Sequence, residues 1–301
     1  MAQLLIFVGL VLLSVIVGVV LSAGVVAIML GPDAIGNVSI MSDLQKPAIV
    51  STLKVSQFFA SLATFILPVL IFVYLSSRKG IAVLGLHKTI SFKTGLTAFV
   101  LVLAVLPIVN FTQEINQMMQ LPAFLVDLEV WMKQQEENTE VIITAFLSST
   151  GILAFVGNMV VMALIPALGE ELCFRGVMQR IFGKMFQNAH VAIWVTAIIF
   201  SAIHMQFYGF IPRMLLGAML GYLYYWSGSL WLSILAHFVN NGFAVLISYL
   251  IMIGSLAPET EEIGTGEGSV FFVLVSLVIS SALLFLLHKN RVPKSEIPTA
   301  E

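Results

Sequence analysis

Apolar runs long enough to cross a lipid bilayer recur from one end of this 301-residue chain to the other. A spanning helix needs about 20 mostly apolar residues. By that rule eight segments qualify: 3–30, 55–76, 94–112, 142–168 or beyond, 190–208, 212–226, 230–252 and 269–288. The sixth is the shortest and opens at Pro212, a residue suited to a first helical turn. Charged residues make up 10% of the chain, against about 25% in a soluble protein. The expected fold is all-α: a polytopic integral membrane protein of about eight transmembrane helices. No soluble domain, long linker or low-complexity tract interrupts the runs, so residues 1–301 read as one transmembrane domain. The first run lacks a basic leader and is too long for a cleavable signal, and so reads as a retained helix.

Charge narrows the partners and sets an orientation. A net charge of −2 gives no reason to expect nucleic acid, and a single cysteine, Cys173, allows no intrachain disulfide. With the N-terminus cytoplasmic and all eight segments crossing, the inner side holds ten basic residues: Arg78, Lys79, Lys88, Lys93, Arg175, Arg180, Lys184, Lys289, Arg291 and Lys294. The outer side holds four: Lys46, Lys54, Lys133 and Arg213. Glu136-Glu137 and the acidic run Glu259 through Glu262 also fall outside. Lysine and arginine favour the cytoplasmic side, so both termini are expected there. His87, His190 and His288 fall near inner boundaries, and Tyr222, Tyr224, Tyr225, Trp226 and Trp231 read as an interfacial aromatic belt.

The segment 113–141 is too polar to span. Met118, Leu121, Phe124, Leu125, Leu128 and Trp131 can form one apolar stripe, as in a helix lying on the outer interface. An ordinary loop with a few anchors reads equally well, and a lid over a cavity is a third reading.

Three patterns stand out inside the apolar second half: Glu170-Glu171-x-x-x-Arg175, Phe200-x-x-x-His204 and His237-x-x-x-Asn241. Ionisable groups are costly in lipid, so those retained there are functional candidates. Counted at 1.5 Å per residue, Glu170 and His204 each lie roughly 21 Å from the inner ends of their segments, and His237 and Asn241 roughly 13–20 Å. All can share one level, provided the fourth helix does not break at Gly176 or Gly183. A carboxylate in a low-dielectric site suits a general base, and an arginine one turn from a second carboxylate can hold it ionised. Two histidines and an amide can polarise a carbonyl, stabilise an oxyanion or ligate a metal. Taken singly, each pattern also has a bland reading: an ion pair, a packed ring, a hydrogen bond between helices. Phe200 reads as packing in either case. Asn240 competes with Asn241 for the amide role, and Cys173 is a thiol candidate beside the histidines or else a small buried hydrophobe. Other intramembrane hydrolases are excluded by absence. There is no His-Glu-x-x-His, no Gly-x-Ser, and the aspartates, Asp33, Asp43 and Asp127, all lie outside the spans.

In order and spacing the three patterns resemble the signature of the CPBP family, the CAAX prenyl endopeptidases and bacteriocin-processing or Abi proteins. Glu170-Glu171-Leu172-Cys173-Phe174-Arg175, Phe200-Ser201-Ala202-Ile203-His204 and His237-Phe238-Val239-Asn240-Asn241 match it in turn, over roughly residues 165 to 245. The protease-like region is taken as about 142–252. The resemblance implies an eight-helix intramembrane endopeptidase with a polar cavity open toward the cytoplasm. Glu170 would activate the water; His204, His237 and Asn241 would complete the site and stabilise the oxyanion; Glu171 and Arg175 would support it. Cys173 falls on an unspecified motif position. The family carries a metalloprotease label, so a divalent metal such as Zn2+ is one expectation and a glutamate-activated water without metal the other. Implied partners are membrane lipid and a peptide or protein substrate, lipidated or not. Eukaryotic members cut prenylated CAAX proteins, and bacterial members are linked to peptide maturation, bacteriocin immunity or membrane-protein processing. A non-catalytic immunity protein or peptide-binding scaffold, and a proton-coupled transporter, are the competing functions.

Overall fold

In hydrocarbon every backbone N–H and C=O must be paired within the protein, and a helix does this inside one segment. The computed structural model describes residues 1–36, 43–78, 80–266 and 268–292, and among them there is no strand. Nine α-helical stretches follow one another. They are α1 (Ala2–Leu30), α2 (Pro47–Ser76), α3 (Phe92–Gln117), α4 (Val126–Leu147), α5 (Ile152–Phe186), α6 (Ala189–Ala202), α7 (Phe210–Ser227), α8 (Leu230–Met252) and α9 (Ser269–Lys289). Lys79 and Lys294, both counted in the charge bias, lie outside the described residues, as do the side chains of Glu261 and Glu262.

The protein is an integral membrane protein, but eight full spans are not what the helices give. Among the described residues six are long and apolar enough to cross: α1, α2, α3, α5, α8 and α9. The expected span at 190–208 is helical only over Ala189–Ala202, because the chain turns at His204 and Met205, whose φ of 54° is left-handed. α7 has 18 residues and opens at Phe210. The fourth expected span begins later, at Ile152, and runs unbroken to Phe186. Neither Gly176 nor Gly183 breaks it. Residues 113–141 divide between the end of α3 and α4, so a helix replaces the ordinary loop. In α4 Glu129 is buried while Phe124 before it, Leu128 and Trp131 are exposed.

Packing is inverted relative to a soluble protein. In α1 the buried residues are Phe7, Ser14 and Gly18, while Leu12, Ile16 and Val20 point outward. A Cβ on Gly18 would stand 3.1 Å from Thr64 Oγ1 on α2. On α9, Ser269, Ser276 and Ser280 face inward, and Ser276 Oγ donates to the Ala104 carbonyl of α3 at 2.5 Å. Lipid is as apolar as leucine, so small and hydroxyl side chains gain more than leucine does at helix contacts. Two apolar clusters result. One joins α1, α2, α5, α6, α7 and α8 around Phe7, Val69, Phe174, Phe200, Tyr224 and Leu230; the other joins α3, α7, α8 and α9 around Leu101, Leu220, Leu232 and Leu287. Glu170 lies near the midpoint of α5, at the seam between them.

Candidate active site

α5 does not hold a uniform α geometry around the carboxylates. π turns at Met159–Leu164 and Leu172–Met178 flank the α segment Ile165–Glu171. Such turns interrupt helices frequently at functional sites. Pro166 supplies one cause: it has no N–H to donate to the carbonyl four residues back. That carbonyl, of Met162, instead accepts from Asn241 Nδ2 of α8 at 3.3 Å. The proline thus ties the third motif to the helix of the first.

Glu171 and Arg175 are both 0% exposed. Arg175 Nη1 donates to Glu171 Oε1 at 2.7 Å, and Nη2 donates to the Gly217 carbonyl of α7 at 2.9 Å. The guanidinium also lies 4.7 Å from the Phe200 ring centroid, so the motif phenylalanine packs against the motif arginine. One turn on, Gln179 Nε2 donates to the Gly221 carbonyl at 3.1 Å. These contacts need glycines. A Cβ at Gly217 would meet Phe200 Cδ1 at 3.1 Å, and one at Gly221 would meet Ile193 Cγ2 at 2.9 Å. Gly217-x-x-x-Gly221 therefore brings α6 and α7 close and bares two carbonyls to α5. Ser233 Oγ donates to Glu171 Oε2 at 2.5 Å. Both oxygens of this buried carboxylate are thus satisfied, as a buried charge requires.

The same carboxylate orients His237. His237 Nδ1 lies 2.8 Å from Glu171 Oε1, and an ionised carboxylate only accepts, so Nδ1 carries the proton. Nε2 then faces Glu170, whose Oε2 is 3.8 Å away. His204 is fixed the same way: Nδ1 donates to the Phe200 carbonyl at 2.8 Å, which leaves Nε2 free as an acceptor. Glu170, Phe200, His204, His237, Asn240 and Asn241 all line one cavity of about 200 Å³, whose far wall carries Val109, Gln113, Gly209, Pro212 and Arg213. Asn240 Nδ2 donates to Asn241 Oδ1 at 3.1 Å, so the two amides form one unit. Glu171 and Arg175 stand behind this wall. Cys173 does not line the cavity; it is buried in the apolar cluster with Phe174 and Val177.

Three cavity residues and two supports escaped the sequence reading. Arg213 counted only as an outer charge, yet it lines the cavity, with Nη2 donating to Gln206 Oε1 at 2.6 Å and Nη1 buried without a partner. Gln113 sits in a segment read as interfacial, and Asn240 was a competitor of Asn241 rather than its companion. Ser233 carried a signal, standing one turn before His237; Gln179, one turn after Arg175, carried another.

Among the described residues no group of three or more His, Cys, Asp or Glu side chains is placed to hold a metal ion. His237 Nδ1 is committed to Glu171 and His204 Nδ1 to a carbonyl, which leaves Nε2 of each ring turned to the cavity, the orientation a ligating histidine also takes. The cavity reaches the bundle end that carries the end of α3, the start of α7 and the 203–209 loop, not the basic end.

Residues 152–243 match the family described as type II CAAX prenyl endopeptidase Rce1-like. The protein YpbD of Bacillus subtilis (strain 168), itself uncharacterized, is 30% identical over 86 residues, 27% of this chain and 41% of YpbD. The chain thus spans less than half the length of that relative. No solved structure matches. Every motif residue described above falls inside the matched stretch, where the chain is similar to the Rce1-like type II CAAX prenyl endopeptidases.

Proposed function

We propose that this protein is an intramembrane endopeptidase that hydrolyses a peptide bond with a water activated by Glu170. The observation that carries this reading is the pairing of Glu170 with His237 Nε2, 3.8 Å apart on the wall of a cavity of about 200 Å³. That space has room for about six waters, or for one water and a stretch of peptide backbone.

In this mechanism Glu170 takes a proton from the water as its oxygen bonds to the scissile carbonyl carbon. The Nε2 lone pair of His237, beside Glu170, accepts the water's second O–H and orients it, and His204 lines the same cavity. The carbonyl π electrons move to oxygen, and the oxyanion needs donors. Arg213, a fixed cation, is the strongest one on the wall, supported by the amides of Asn240 and Asn241. The family resemblance gave this role to His204, His237 and Asn241; the hydrogen bonds at Nδ1 favour moving it to Arg213. Collapse of the intermediate re-forms the C=O and breaks the C–N bond, and the proton held by Glu170 passes to the leaving amine. Glu171 and Arg175 touch no substrate; they are positioning residues that set the His237 tautomer. No step is routed through a metal.

The substrate is a peptide or protein segment at the membrane, with prenylated CAAX-type C-termini one class to include. The test is mass-spectrometric cleavage of such peptides, prenylated and unmodified, by purified wild type and Glu170→Gln in lipid vesicles. Loss of a general base lowers the rate by about 10²–10⁴-fold. Cleavage unchanged in the folded Glu170→Gln protein would falsify the mechanism. Absence of cleavage in both, with binding of peptide retained, would favour the non-catalytic scaffold.

A further inference from the structure

A second cavity, of about 470 Å³, adjoins the first. Gln113 lines both. Gln206, on the wall of the second, is the residue bonded to Arg213 on the wall of the first, at 2.6 Å. The outer wall of this vestibule comes from α4, through Lys133, Glu136, Glu137 and Glu140. It is a built structure rather than a chance gap. Asn116 at the end of α3 donates to the Phe207 carbonyl at 2.9 Å and accepts from the Ile211 N–H at 2.8 Å. Glu136 accepts from the Tyr208 N–H at 3.2 Å, and Glu129 from the Tyr208 hydroxyl at 3.0 Å. The 203–209 loop, which carries His204, is thereby clamped between α3 and α4 at the mouth of the site.

Following the helices places this mouth on one end of the bundle. Arg78, Lys88, Lys93, Arg180, Lys184, Lys289 and Arg291 mark the other end, at the helix termini remote from α4. α6, only 14 residues long, stops short on the α4 side, and the loop that follows it supplies Gln206 and Tyr208 to the vestibule wall. Lysine and arginine concentrate on the cytoplasmic side of membrane proteins, and acidic residues carry little orienting weight.

We infer that the cavity is entered from the extracytoplasmic side, through the vestibule between α3, α4 and the 203–209 loop. The matching substrate, on the endopeptidase reading above, is an exported peptide or the extracytoplasmic segment of a membrane protein. This reverses the cytoplasmic opening that the family resemblance implied. A peptide would pass Glu137 and Gln113 in turn before reaching Arg213 and Glu170.

Thiol labelling tests the route without relying on cleavage. In a Cys173→Ser background, Gln113→Cys reports the passage, Glu137→Cys the vestibule rim and Lys184→Cys the opposite end. A membrane-impermeant maleimide is applied to right-side-out and to inverted membrane vesicles. The expected result is labelling of Gln113→Cys and Glu137→Cys in right-side-out vesicles and of Lys184→Cys only in inverted ones. Gln206→Cys serves the same purpose should Gln113→Cys not fold. Labelling of the passage cysteine only from the inverted side, or from neither, overturns the route. Lys184→Cys labelled in right-side-out vesicles overturns the orientation beneath it. Because no outcome depends on activity, failure of the endopeptidase reading in the Glu170→Gln assay stays distinct from failure of the route.

Discussion

At the scale of single residues, the site is a division of labour between two adjacent glutamates. Glu171 is wholly buried and accepts from Arg175, His237 and Ser233, so it is a fixed anion and not a base. Glu170, one position earlier, lies about 100° around the helix and meets the cavity instead. Breaking such a buried network by removing one partner costs about 3–5 kcal/mol, since the remaining charge is left unpaired. Arg213 is the residue whose role can be separated from folding. It is partly exposed and lies outside the Glu171 network. Arg213→Met should therefore leave the protein folded and lower kcat by about 10²–10³-fold, the loss typical of one oxyanion donor. A change confined to KM would place Arg213 in substrate binding instead.

At the scale of elements, α4 is the piece most sensitive to conditions outside the membrane. Glu129 accepts from Lys133 Nζ at 3.0 Å, from the Leu121 N–H at 3.0 Å and from the Tyr208 hydroxyl at 3.0 Å. Its carboxyl is held below the ordinary glutamate value, first by the Lys133 hydrogen bond and then by the Leu121 amide. Burial pushes Glu136 on the same helix the other way. For Glu129 the folded value is the lower one, so its contribution to docking is fully present above the ordinary glutamate range of about 4.3. It is lost as pH falls through the depressed value. Amide exchange in residues 118–147 and 203–209 should consequently rise on acidification below about pH 4, ahead of α5 and α8. Glu129→Gln should remove most of that dependence, leaving the two segments exchanging at similar rates across the range.

At the scale of the whole molecule, the dominant asymmetry is between its two ends. The end holding Arg78, Lys88 and Lys93 is the basic one, and the end holding α4 carries Asp127, Glu129, Glu136, Glu137 and Glu140. The positive-inside bias orients a chain through residues close to span ends in short loops. Replacing Arg78, Lys88 and Lys93 together by glutamine should invert part of the population. The check is Lys184→Cys, in the cysteine-free background, becoming partly accessible in right-side-out vesicles. Strict retention of one orientation would assign the bias to Arg180, Lys184 and the C-terminal basic residues.

The class of this protein is legible along the chain, because a run of about 20 apolar residues matches the thickness of the hydrocarbon layer when helical. The sequence by itself also determined which polar residues to watch, since charge is expensive in hydrocarbon and the i,i+4 spacing puts Glu171 beside Arg175 on any helix. Helix ends were less legible. α6 stops at Ala202, where His204 and Met205 turn, and the loop that follows is held at Phe207 and Tyr208 by Asn116, Glu129 and Glu136, all distant in sequence. Which glutamate faces the cavity, how Arg213 joins it from a loop-proximal turn, and toward which end the cavity opens were decided only by the tertiary structure. Each depends on contacts between helices: a proline-freed carbonyl taken by Asn241, two glycines that admit α6 and bare carbonyls to Arg175 and Gln179, and a serine that donates to the second oxygen of Glu171. Periodicity along one segment carries no information about which partner meets it in space, and that is what set the site.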